Sequence, residues 1–140
     1  MEALKAVLVR GLLQIFALLP LGVSRGAGRA LAAIYWRFGG RARQVTSRNL
    51  ALAYPQMAGS ERERLAKRSL SATGALAGEM GHVWLRSWEH TVARLEVRGD
   101  GLIADALSRG RGVLVLAPHL GNWEVVGLHL ATLGPTVALY

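Results

Sequence analysis

The first sixty residues combine apolar segments with basic residues and almost no acidic ones. Between Ala3 and Ser60 the sequence has no aspartate or glutamate, while Leu, Ile, Phe and Trp alternate with eight basic residues. Seven of the eight units of net positive charge therefore fall in residues 1–60. Basic residues beside apolar helix suit an anionic membrane surface. A nucleic-acid-binding face usually lies on a soluble scaffold, so nucleic acid is not an expected partner.

Residues 1–43 are predicted to form a membrane anchor. Its most apolar segment, Leu8–Val23, is interrupted by Arg10, Gln14 and Pro20, and the uncharged stretch 11–24 is shorter than the roughly 20 residues of a clean span. We therefore expect the anchor to lie in the membrane interface or to dip through it. A buried core helix of a soluble domain is the alternative.

Residues 44–92 are predicted to be a connector followed by one long amphipathic helix. Ser60 and Glu63 match the capping-box pattern, and apolar residues then recur at three- and four-residue steps up to Trp84. Glycines at 74, 78 and 81 disfavour a helix, so they indicate close packing against another helix or lipid. Glu79, His82 and Arg86 share one face, which we expect to be a solvated polar stripe.

Residues 93–140 are predicted to begin an α/β catalytic domain. Strand patterns occur at 94–97, 113–117 and 136–140, and helix patterns at 101–108 and 123–133. Strand, helix and strand in succession form a βαβ unit. The predicted fold class is thus α/β, with N-terminal membrane-associated helices followed by the start of an α/β sandwich. A sheet of two or three strands is a small one, so we expect the chain to be a fragment.

The segment from Pro118 to Glu124 is the main candidate for chemistry. His119 and Glu124 are five residues apart and can meet only if the backbone bends between them. Pro118, Gly121 and Asn122 favour such a bend, with Asn122 capping the helix that follows. A carboxylate beside an imidazole fixes its tautomer and stabilises the imidazolium, so the pair is a candidate general base.

Other site chemistries are less well supported by the sequence. A lone His at a strand end is usually structural, and a Glu in a first helical turn is usually a cap, so each residue alone carries little weight. HExxH, GxSxG and P-loop motifs are absent, and the chain has no cysteine. We expect no metal, no bound cofactor and no covalent nucleophile.

The segment APHLGNWE, residues 117–124, closely resembles the HX4(D/E) signature of the lipid A biosynthesis acyltransferases, a branch of the lysophospholipid acyltransferase superfamily. The hydrophobic N-terminus, Arg48-Asn49-Leu50, Tyr54-Pro55 and the long helix with Glu79 occur in the same order in that family. Gly110-Arg111-Gly112, before the second strand pattern, completes the similarity. The block around His119 is specific, whereas the upstream pieces are individually weak.

The resemblance implies transfer of an acyl chain from an acyl carrier protein thioester to a hydroxyl of a lipid A precursor, at the cytoplasmic face of a bacterial inner membrane. It assigns His119 as general base and Glu124 as the carboxylate that holds it. Later family motifs would lie beyond Tyr140, so we expect this chain alone to be inactive. The alternatives are a same-branch enzyme with a phosphatidylinositol mannoside-type acceptor, or a non-catalytic membrane-associated module.

Overall fold

The computed structural model describes residues 2–139, except for the side chain of Asp100. Helices are the only regular elements in that range, and the chain divides into two compact units, residues 1–85 and 86–140. The helices are α1 (Glu2–Leu18), α2 (Leu21–Arg37), α3 (Arg41–Ala53), α4 (Gly59–Leu85), α5 (Trp88–Val92), α6 (Asp100–Ser108) and α7 (Trp123–Leu133).

The predicted anchor region is a pair of helices joined at Pro20. Proline has no backbone N–H, so it ends the hydrogen-bonding ladder of α1 and occupies the N-cap position of α2. Only Phe16 and Ala17 of α1 are buried. Leucine, valine and isoleucine side chains elsewhere on α1 are largely exposed, and Val7 and Leu18 are 67% and 77% exposed.

Close backbone contact between α2 and α4 forms the centre of the first unit. A Cβ atom on Gly28 would collide with the carbonyl oxygen of Gly74, and one on Gly78 would collide with that of Ser24. A Cβ on Gly81 would likewise collide with α1, at the carbonyl oxygen of Leu13. The glycines of α4 therefore lie where two other helices approach its backbone, which confirms the packing predicted for them.

Ser24 and His82 link all three of these helices inside the first unit. The hydroxyl of Ser24 donates to the carbonyl oxygen of Phe16 at 2.9 Å, and its oxygen lies 3.3 Å from Nε2 of His82. With its proton directed to Phe16, the hydroxyl oxygen of Ser24 can accept a hydrogen bond from the His82 tautomer that carries a proton on Nε2. Ser24 is fully buried and His82 is 6% exposed.

The predicted solvated stripe is therefore wrong for Glu79 and His82, whereas Arg86, just beyond the end of α4, is exposed as predicted. His82 faces the interior, and Glu79 forms an ion pair with Arg25 of α2 at 3.2 Å, with 18% of the Glu79 side chain exposed. Helical spacing places such residues on one face but does not say which face a second helix will cover. Here α2 covers it, and its own polar groups satisfy the buried ones.

Residues 41–53, predicted to belong to an anchor end and a connector, form α3. This helix has no buried residue and ends at Tyr54, just before Pro55. The residue before a proline disfavours helical backbone angles, which accounts for that end. Arg43 of α3 lies over the ring of Trp36, 4.6 Å from its centroid, so a cation–π contact helps to position α3.

The second unit contains the predicted helices but none of the predicted strands. Helices α6 and α7 lie within one residue of their predicted bounds, whereas residues 94–97, 113–117 and 136–139 have no strand structure. Tyr140, the end of the last predicted strand, lies outside the described residues. Exposure alternates along 113–116, since Val113 and Val115 are 39% exposed and Leu114 and Leu116 are 88% and 87% exposed.

The predicted α/β sandwich is thus wrong for residues 2–139. An apolar run has a preference for extended backbone, but a strand exists only where a neighbouring segment pairs with its N–H and C=O groups. Within the described range, residues 113–117 have no such pairing. None of the helices described in residues 2–139 is both long and apolar enough to cross a bilayer.

The contact between α2 and α4 predicts that alanine substitutions at two nearby glycines of α2 have opposite effects on stability. Gly28→Ala should lower the free energy of unfolding by about 1–3 kcal/mol, because its methyl group would overlap the Gly74 carbonyl. Gly26→Ala, in the same helix but with no atom within 4 Å of the new methyl group, should raise it by up to about 1 kcal/mol. Urea unfolding midpoints measure both. Equal effects of the two variants would contradict this packing.

Candidate active site

His119 lies in a tight turn that joins the extended segment 111–118 to α7. The N–H of Leu120 donates to the carbonyl oxygen of Pro118 at 2.7 Å, which closes the turn around His119. Gly121 has a φ of 62°, a left-handed conformation that favours glycine. The backbone therefore bends between His119 and Glu124, as a catalytic pair at this spacing requires.

The imidazole of His119 stacks on the indole of Trp123. The two ring centroids are 4.3 Å apart, and the ring planes differ by 11°. Trp123 is the first residue of α7 and is half-buried, while His119 is exposed. The stack therefore holds an accessible imidazole against a fixed aromatic face.

Glu124 follows Trp123 in the first turn of α7. Asn122 occupies the N-cap position, as predicted, but its side chain makes no capping hydrogen bond. Its backbone carbonyl oxygen accepts a hydrogen bond from the N–H of Val125 at 3.2 Å. Glu124 is half-buried, so its carboxylate is only partly screened by water.

The turn thus allows His119 to stack on Trp123, the residue that directly precedes Glu124 in sequence. An exposed imidazole can accept a proton from a bound hydroxyl, and a nearby carboxylate can stabilise the imidazolium that forms. Within residues 2–139, no group of three histidine, aspartate or glutamate side chains is placed to hold a metal ion. Catalytic roles for His119 and Glu124 are still predictions.

Trp123 is a site residue that the sequence reasoning missed. The sequence pattern indicates only that Trp123 begins a helix, whereas in the structure its ring packs against His119 and positions it. The available signal was the four-residue spacing of His119 and Trp123 across a turn containing glycine. Ser24 and His82 are also a serine–histidine pair, but full burial of Ser24 keeps its hydroxyl away from any substrate.

The chain matches the family described as bacterial lipid A biosynthesis acyltransferase over residues 2–140. It is 28% identical over 132 residues to the lipid A biosynthesis lauroyltransferase of Escherichia coli strain K12. It is 27% identical to that strain's lipid A biosynthesis palmitoleoyltransferase and to the lipid A biosynthesis acyltransferase of Shigella flexneri.

Each of these alignments covers 93% of this chain and 42% of the relative. The chain therefore spans less than half the length of the curated relatives that it matches. No solved structure matches it significantly.

The stack between His119 and Trp123 predicts a signature in the nuclear magnetic resonance spectrum. The ring current of the indole should move the carbon-bound imidazole protons of His119 upfield, because they lie above its face at 4.3 Å. Trp123→Leu should abolish that displacement, while Trp88→Leu serves as a control, since Trp88 lies beside His129 instead. Identical His119 shifts in wild type and Trp123→Leu would show that the rings are not stacked in solution.

Proposed function

The chain belongs to the bacterial lipid A biosynthesis acyltransferase family, and from that premise we propose that the protein transfers a fatty acyl chain to a lipid A precursor. The donor in this proposal is an acyl carrier protein thioester, and the acceptor is a hydroxyl group of the glycolipid. The family match over residues 2–140 is the observation that carries the proposal. The turn at His119 supports it, because it presents an imidazole to solvent directly before a helix whose first turn contains the carboxylate of Glu124.

In the proposed reaction His119 acts as a general base. It removes the proton of the acceptor hydroxyl as that oxygen attacks the thioester carbonyl, so that the C–O bond forms and the C–S bond then breaks. The proton held on the imidazole can pass to the departing thiolate, which restores the neutral ring. No covalent acyl-enzyme is required, in keeping with the absence of a nucleophile motif from the sequence.

Glu124 and Trp123 position and stabilise the base in this scheme. The carboxylate of Glu124 offsets the positive charge of the imidazolium during proton transfer. The Trp123 ring limits the rotation of the imidazole, so less orientational freedom is lost when the acceptor binds. Trp123 is therefore proposed as a positioning residue and His119 as a catalytic one.

The first unit supplies a surface suited to the cytoplasmic face of the inner membrane. It contains twelve basic and four acidic residues, whereas the second unit contains five of each. Exposed apolar side chains of α1 and α2 lie among those basic residues. A surface with both properties can bind an anionic lipid layer, and its charge also suits an acidic carrier protein.

Substitution of His119 tests the catalytic proposal. In the protein at its natural full length, His119→Ala should lower kcat for acyl transfer by about 10²–10⁴-fold, the contribution of a positioned general base. Glu124→Gln should also lower kcat, because an amide cannot balance the imidazolium charge. The measurement is transfer from a purified acyl–acyl carrier protein to a lipid A precursor.

His90→Ala is the matched control for that assay. His90 is a histidine of the same unit, in α5, and lies outside the proposed site. It should leave kcat unchanged. Full activity of folded His119→Ala, or a loss in His90→Ala of the same size, would rule out His119 as the base.

Vesicle flotation tests the proposed membrane contact. The chain should float with vesicles containing phosphatidylglycerol and should bind weakly to pure phosphatidylcholine. Binding should weaken at about 1 M salt, where the Debye length falls to about 3 Å, but part should persist because apolar contacts are not screened. Failure to float with anionic vesicles at low salt would contradict the membrane contact and would leave the acyl-transfer proposal intact.

A further inference from the structure

An open apolar groove runs along one side of the first unit, between α1, α2 and α4. Its volume is about 640 Å³, and its floor includes the buried ring of Phe16. Leu31 and Tyr35 of α2 and Leu70 and Trp84 of α4 are among its walls. The groove is lined almost entirely by aliphatic and aromatic side chains, so a ligand that it holds must be apolar along its length.

The apolar side chains that form the walls of this groove are highly exposed, which indicates that the groove binds a ligand. Leu31, Tyr35 and Trp84 are 50%, 43% and 55% exposed. Contiguous apolar surface of this kind is unfavourable in water, by about 25 cal/mol per Å², and marks a binding surface. The volume is within the range of small-molecule sites, about 300–1,000 Å³.

The length of the groove suits a single hydrocarbon chain. Its α4 side extends from Leu70 to Trp84, which is about 21 Å at a rise of 1.5 Å per residue. The hydrocarbon core of a bilayer is about 30 Å thick, so the acyl chain of one leaflet extends over about 15 Å. An extended acyl chain can therefore lie along α4 within the groove.

The charge of the first unit favours an anionic head group for the ligand. Arg10 and Arg37 adjoin the groove-lining residues Val9 and Phe38 in sequence. Neither arginine forms an ion pair with another residue in the described part of the chain, and the acid-free stretch from Ala3 to Ser60 includes both. The groove belongs to a unit with twelve basic and four acidic residues, so its surroundings suit a lipid whose head group is a phosphate anion.

We propose that the groove between α1, α2 and α4 binds one acyl chain of an anionic membrane phospholipid, the anionic head group being favoured by the excess of basic residues in the first unit. The lipid would act as a bound anchor and not as a substrate. This proposal rests on the membrane contact proposed above, and it is independent of acyl transfer and of His119.

Quenching of Trp84 by brominated lipid tests the proposal. Bromine quenches an indole on contact, so vesicles of phosphatidylcholine and phosphatidylglycerol, with the phosphatidylglycerol chains brominated at their middle, report an acyl chain beside Trp84. Wild type should be quenched more strongly than Trp84→Phe. The difference between these two proteins is the Trp84-dependent quenching.

Two exposed alanines of α4 provide a matched pair of variants. Ala77 lines the groove and Ala72 does not. Ala77→Phe should remove most of the Trp84-dependent quenching and should weaken lipid binding about tenfold, because its ring displaces about two methylene groups of the ligand. Ala72→Phe should behave as wild type. Thr73→Phe, a second substitution in the lining, should reproduce the Ala77→Phe result even if that variant folds poorly.

Flotation of the same proteins distinguishes failure of the groove proposal from failure of the proposed membrane contact. If the wild type floats and Trp84 is quenched to the same extent in wild type and in Ala77→Phe, the groove proposal is overturned. The proposed membrane contact would then remain in place. Wild type that does not float overturns both. A dimer in solution that Ala77→Phe dissociates would also overturn the proposal, because it would assign the groove to a second copy of the chain.

Discussion

The first unit depends on direct contact between the backbones of α2 and α4. Gly28, Gly74 and Gly78 allow the two helices to approach until the carbonyl groups of each lie against the other. At that distance Ser24 can reach Phe16 and His82, and Arg25 can reach Glu79. Small residues thus set the helix spacing, and the polar contacts fix which residues face one another.

The helices were the most predictable part of the fold. Periodic apolar residues predict α4, α6 and α7 to within two residues, and the glycines of α4 predict close packing. The capping signals are less reliable, because Ser60 lies inside α4 and Asn122 makes no side-chain capping hydrogen bond. Helix α3 escaped prediction because its sequence is largely polar and none of its residues is buried. The predicted strands failed for a different reason. A preference for extended backbone is local, but pairing requires a neighbouring segment that no local pattern specifies.

At the candidate site, the turn was predictable and the stack was not. Pro118, Gly121 and Asn122 indicate a bend and a new helix on their own, since each has a known backbone preference. Whether the His119 ring then meets Trp123 depends on torsion angles that residue types do not determine. The groove of the first unit could not be predicted from the sequence either. Its walls come from three helices, and their relative placement follows from the glycine contacts.

The pairing of Ser24 with His82 has a consequence for synthesis of the chain. The two residues are 58 positions apart in sequence. The glycines against which α2 packs lie in α4, the helix that also contains His82. At about 5–20 residues per second, the ribosome needs about 3–12 s to reach His82 after adding Ser24. During that interval α1 and α2 have emerged without the helix that covers them. The order of the elements therefore leaves the faces of α1 and α2 that pack on α4 uncovered until α4 has been synthesised.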